Sequence, residues 1–214
     1  MIQPDLDSLI IKHLVDIDRT AMRLNVIEEE LFAAMAEMAE DWAEKASWAG
    51  DCSYHRGGGW DGWDFWIAPS EWRTRGTPEH SDEFDAWFAL DVGAGDTEEG
   101  LEGEDWFYVT RLCGIGFGKV GLRFVPDGVA KRRQWKQSFG HVGQMVAGTP
   151  FEADARPSLF LPIKLNQLAL VEALKDEDLA AALDPFKETL NALLAAKSAF
   201  DQVVQFLRSR EIPA

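Results

Sequence analysis

Ile10, Leu14, Ile17, Ala21, Leu24, Leu31, Met35, Met38 and Trp42 follow one another in alternating steps of four and three, with Glu28 as the interruption. That spacing is a heptad seam rather than a loose amphipathic stripe, and it predicts one long helix. Pro4 suits the first helical turn and Gly50 the exit, so the helix is placed between them. Phe186, Leu190, Leu193, Phe200, Val204 and Leu207 repeat the pattern near the other end, with Lys197 as the polar break and Asp184-Pro185 as the start signal. A shorter helix is expected from Gln167 to Leu174, ended by the acidic run Lys175 to Asp178. Two matching seams predict that the terminal helices pack together as a coiled-coil-like pair or each pack on a symmetry mate as a homodimer. Glu28 and Lys197, each the charged exception on its seam, are expected to lie near one another, since burying either alone is costly.

Between these helices the period changes to two. Asp61 to Ala68, Phe84 to Gly93, Trp106 to Gly114 and Lys119 to Val125 are short, aromatic or branched, and bounded by glycine, proline or acidic clusters, which predicts four strands. Ser158 to Leu165 is a fifth, and Asp127 to Met145 reads as a helix containing Trp135. Strands in the middle and helices at the ends indicate an α+β fold, with a central antiparallel sheet of about five strands. The chain is read as a single domain over 1–214: an N-terminal helix to 50, a sheet-rich core over 51–165, and C-terminal helices over 166–214. Arg73 to Asp82 and Gly93 to Asp105 read as loops.

Alternation puts Phe84, Ala86, Phe88, Leu90 and Val92 on one face of a strand and Asp85, Trp87, Ala89 and Asp91 on the other. The first set is core. Extending the alternation to neighbouring strands places Asp64, Trp66, Trp106, Tyr108 and Arg123 beside Trp87 and Asp91, an aromatic surface studded with charge. Such a face suits a basic or amphipathic protein partner, or a small cationic or polar ligand, unless the helices cover it.

The 214 residues, 46% of them hydrophobic, are enough for a substantial core, which excludes a disordered chain. A net charge of -16 opposes extended contact with phosphate backbones, so nucleic acid is not expected as a partner. The start Met1-Ile2-Gln3-Pro4-Asp5 carries no secretory pattern, and no apolar run approaches the roughly 20 residues of a membrane span, so a cytoplasmic, membrane-free protein is expected. Cys52 and Cys113 are too few for a disulfide framework.

No catalytic motif is complete. Asp61, Asp64, Asp85 and Asp91 are the right ligand type for a divalent cation, and a metal-dependent hydrolase or nuclease-like enzyme is the competing reading, with Arg123 as charge stabiliser. The Glu-x-Lys such a nuclease core would carry is missing from every predicted strand; Lys164 has no acidic residue two positions before it. Gly114-Ile115-Gly116-Phe117-Gly118-Lys119-Val120-Gly121 contains a G-x-G-x-x-G match, yet a strand rather than a helix follows it, which reads as a hairpin turn. Cys52 and His55 have the spacing of half a zinc site, with Cys113, His80 or His141 as further ligands, but a structural site ordinarily shows two such pairs. Lys131, Arg132, Arg133 and Lys136 form the one dense basic patch. It reads either as an anion site beside Trp135 or as a helix face neutralised by the chain's own carboxylates. No cofactor is expected, and the leading reading is an acidic protein-interaction or ligand-binding domain.

Overall fold

The computed structural model describes residues 4–55, 64–74, 83–93, 107–115, 118–154, 157–176 and 178–209. Its helices are α1 Pro4–Lys12, α2 Leu14–Ala46, α3 Tyr108–Leu112, α4 Arg132–Met145, α5 Gln167–Asp176 and α6 Asp184–Ser209. The strands are β1 Trp48–Asp51, β2 Trp66–Pro69, β3 Trp87–Gly93, β4 Lys119–Val125, β5 Glu152–Ala153 and β6 Leu159–Ile163. They form one sheet in the order β1-β2-β3-β4-β6-β5, antiparallel at every pairing. The α+β class with long terminal helices is as expected, and the sheet has one strand more than the five anticipated.

The core lies on the face of the sheet that carries Phe88 and Phe124, opposite one another across β3 and β4. Phe200 of α6 reaches both rings, at centroid distances of 5.0 and 4.8 Å, and Phe151 closes on it at 4.6 Å. Leu31, Phe32, Met35 and Ala39 of α2 are fully buried in the same cluster, as are Leu190 and Leu193 of α6. The two terminal helices therefore pack within one chain over the second half of α2, where the Trp42 indole N–H donates to the Asn191 side-chain oxygen at 3.3 Å. The first half is different: every residue from Leu6 to Thr20 is exposed.

Several boundaries differ from the sequence reading: β3 begins at Trp87 rather than Phe84, α4 at Arg132 rather than Asp127, and β6 covers Leu159–Ile163 rather than Ser158 to Leu165. The long helix ends at Ser47, whose left-handed φ of 58° lets its N–H return to the last turn. Trp48 then enters β1, so Gly50 lies in a strand, where a Cβ would collide with the Trp66 carbonyl and the Ile67 side chain. Within the N-terminal helix the assignment breaks at His13, yet the His13 N–H still reaches the Leu9 carbonyl at 3.1 Å and the Ile17 N–H reaches His13 at 2.9 Å, so the helical register carries through.

A further correction is Trp106 to Gly114, expected as a strand. Tyr108–Leu112 is a helix, with Leu112 and Cys113 buried beneath it, while Trp106 lies outside the described residues. The alternation of aromatic and branched residues there satisfies a strand pattern, but tertiary contacts override it. Helical spacing puts the Arg111 guanidinium 5.1 Å over the Tyr108 ring three residues back. Gly114, at φ 64°, terminates this helix, so the glycine-rich segment leads from a helix into β4 and is not a strand-to-strand hairpin.

Candidate functional site

Registers fix which of the expected surface residues share a face. Trp66 stands opposite Ala89, Arg123 opposite Ala89 on the other side, Trp87 opposite Val125, and Asp91 opposite Gly121. Directly opposed residues project to the same side, so Trp66, Trp87, Asp91 and Arg123 do occupy one face of the sheet. Phe160 of β6, opposite Arg123, joins them.

At the centre of that face the Arg123 guanidinium is held by three side chains and one backbone carbonyl. Its Nε donates to Asp91 Oδ2 at 2.5 Å, Nη1 to Asp154 Oδ2 at 3.0 Å and to Ser158 Oγ, and Nη2 to the Val92 carbonyl at 3.0 Å. It lies over the Phe160 ring, 5.2 Å from the centroid. Two glycines make room for that ring: a Cβ on Gly93 would come within 2.9 Å of it and one on Gly121 within 2.8 Å. The side chains of Arg123, Asp154 and Asp91 are 13%, 7% and 47% exposed, so one carboxylate is sealed in and the other faces water. The planar fork of arginine suits this multiple engagement, in which four of its five N–H donors are bonded within the protein. Asp154 and Ser158 carry no pattern that sequence reading detects; their position follows from a turn in which the Asp154 N–H meets the Ser158 carbonyl at 3.1 Å.

The remaining expected residues disperse. Trp66 is buried, 5.3 Å from the Phe84 ring, and Trp87 is half-buried. Asp64 is exposed ahead of β2, tied through its backbone to Ser53. Tyr108 is on α3, edge-on to Phe32 at 6.3 Å, and does not belong to the sheet face. Trp106, Asp61 and His80 lie outside the described residues.

The aspartates proposed as cation ligands do not gather. Asp85 is buried and paired with Arg208 near the end of α6, and Asp91 is held by Arg123. Among the described residues no three His, Cys, Asp or Glu side chains are grouped as a metal site. Cys52 is buried, and desolvation, followed by the nearby charges of Glu40 and Asp51, pushes its thiol up to about 12. The His141 ring lies against Phe206, tilted by 44° with centroids 4.7 Å apart, and His55 is exposed. No zinc half-site is therefore completed among these residues.

Glu28 and Lys197, expected near one another, have separate partners. The Glu28 carboxylate accepts the Val109 N–H at 2.7 Å, whereas Lys197 pairs with Asp201 at 3.0 Å and Glu71 at 3.5 Å. Burial pushes the Glu28 carboxyl above the usual glutamate range, against the opposing pull of the Val109 and Tyr108 N–H groups.

Lys131, Arg132, Arg133 and Lys136 are all exposed at the start of α4, in a first turn without an acidic residue. Among the described residues none of the four is ion-paired, so the expected neutralisation by the chain's own carboxylates is not found. Trp135 is not their stacking partner: it is buried against Phe124 and Phe139, and its indole N–H donates to the Pro157 carbonyl at 2.5 Å.

Among the described residues, most of the exposed large apolar side chains fall on the segment that carries the start of the seam. Ile10, Leu14 and Ile17 are exposed, and so are Leu6, Leu9, Ile11, Val15, Met22 and Val26 outside it. No family model, curated protein or solved structure matches the chain. No helix among the described residues is long and apolar enough to cross a membrane.

Proposed function

We propose that this protein is an interaction module that docks through the apolar surface of its N-terminal helix, over residues 6–26. What supports this is one seam with two fates: Leu31 and Met35 are fully buried, while Ile10, Leu14 and Ile17 on the same seam are open to water. Exposed apolar surface gathered on one segment ordinarily marks a site of association, and nine large side chains are open to water along some 30 Å of this helix. The sheet face is the weaker candidate, because Arg123, Asp91 and Asp154 satisfy one another there.

The test is a photo-crosslinking residue placed at Ile17 of the full chain in the producing cell, with the same residue at Arg19 as the control. Adducts of raised mass from position 17 and few from position 19 are expected. No adduct from position 17 would overturn the reading.

A further inference from the structure

The chemistry of residues 6–26 narrows the partner, on the reading just given. Three carboxylates, Asp7, Asp16 and Asp18, and three cations, Lys12, Arg19 and Arg23, cancel within this segment, whereas the whole chain carries -16. This long apolar segment of an acidic protein is thus electrically neutral. A basic partner drawn by the acidic charge finds no net charge there to complement. An anionic lipid surface finds none either, and it would ask for a single apolar side opposite a cationic one.

The apolar residues in fact stand on two sides. At 3.6 residues per turn, Ile11, Val15, Met22 and Val26 form a second stripe about 130° around the helix from Ile10, Leu14 and Ile17. Within residues 6–26 this second stripe contains the most exposed large apolar side chains, Ile11 at 67% and Met22 at 65%. The polar lanes between the stripes are acidic on one side, with Asp7 and Asp18, and mainly basic on the other, with Lys12, Arg19 and Arg23. A sign-balanced, doubly apolar helix is complementary to another of its own kind.

We propose that residues 6–26 pack against the same segment of a second copy of this chain. The first stripe carries the heptad steps outward from the packed part of α2, so the partner's helix extends a seam that Leu31 and Met35 begin. A stable dimer ordinarily buries about 800 Å² from each partner, and the two stripes between them hold most of the nine large apolar side chains open to water in this segment. Like charge on the two chains opposes the approach, so screening strengthens it.

The experiment is the mass of the purified full chain by light scattering, at tens of micromolar, in low salt and in about 0.5 M salt. A mass of two or more chains is expected, with association tightening several-fold as salt rises. Leu14→Asp with Ile17→Asp should return the chain to a monomer, with its tryptophan near-ultraviolet signal unchanged, since both positions are exposed. Val15→Asp with Met22→Asp, on the other stripe, is a second probe that should weaken association. A monomeric wild type in both salts overturns the proposal, as does association that weakens with salt. If adducts still form at position 17 in the cell while the purified chain is monomeric, docking stands with a different partner. If neither is seen, both readings fail.

Discussion

Glu28 of α2 accepts the N–H of Val109, 81 residues later, at 2.7 Å, and thereby anchors the first turn of the short helix α3. Its position marks a change along α2: the seam is exposed at Ile10, Leu14 and Ile17 before it and buried at Leu31 and Met35 after it. Burial holds the folded carboxyl above its ordinary value of 4.5, so the folded state binds this proton more tightly than the unfolded chain. Ionised Glu28 therefore costs stability above its folded pKa, and the cost is relieved as pH falls through that value toward 4.5. Glu28→Gln keeps a carbonyl acceptor for Val109 without the buried charge. Its melting temperature at pH 7 should exceed that of the wild type, with the difference shrinking toward pH 4.5. Glu28→Ala, which strands the Val109 N–H, should lose about 1–3 kcal/mol. A Gln variant that melts lower at pH 7 would show the charge to be stabilising.

Asp85 and Arg208 join the start of the central strand region to the last turn of α6. The Asp85 carboxylate is buried, and Arg208, half in water, is its ion partner. Removing the cation alone leaves a desolvated charge, so Arg208→Ala should cost about 3 kcal/mol. Adding Asp85→Asn to that variant should recover part of the loss. Denaturant unfolding of the two single variants and the double variant measures the coupling; simple additivity would contradict it.

The architecture was legible where periodic runs were long. The seam on α2 and the core pattern on α6 announced themselves, and β4 falls at Lys119–Val125 as its alternation predicts. β1 and β5, of four and two residues, are too short for any period to emerge. Tyr108 and Thr110 alternate as in a strand, yet they lie in a helix whose Val109 N–H is bound by a carboxylate 81 residues earlier. On the sheet face, Asp91 and Arg123 could be placed together from alternation, but Asp154 and Ser158 come from a turn without one. Periodicity also says which side of a helix is apolar and not what covers it, which is why Leu14 and Met35 read alike and end in opposite environments.

The Arg123 network depends on a fork that a point charge cannot reproduce. Arg123→Lys retains the charge but reaches fewer of Asp91, Asp154, Ser158 and the Val92 carbonyl. A loss of roughly 1–3 kcal/mol is expected, because Asp154 is left partly unsatisfied where it is buried. Ser158→Ala, which removes one neutral partner, should cost about 1 kcal/mol. Equal unfolding midpoints for Arg123→Lys and the wild type would show that charge alone suffices.

Thiol chemistry offers a test of the packing beneath β1. Cys52 is buried and its thiol sits at about 12, and burial also raises Cys113. The thiolate is the reactive form, so at pH 8 the Cys52 side chain is both shielded and almost wholly protonated. In the native chain, alkylation at Cys52 should be slower by orders of magnitude than after denaturation, when both cysteines label. Peptide mapping after a timed pulse of iodoacetamide gives the rate at each site. Rapid native labelling at Cys52 would mean that β1 and the end of α2 open far more readily than their packing implies, and would count against the seam being closed beyond Leu31.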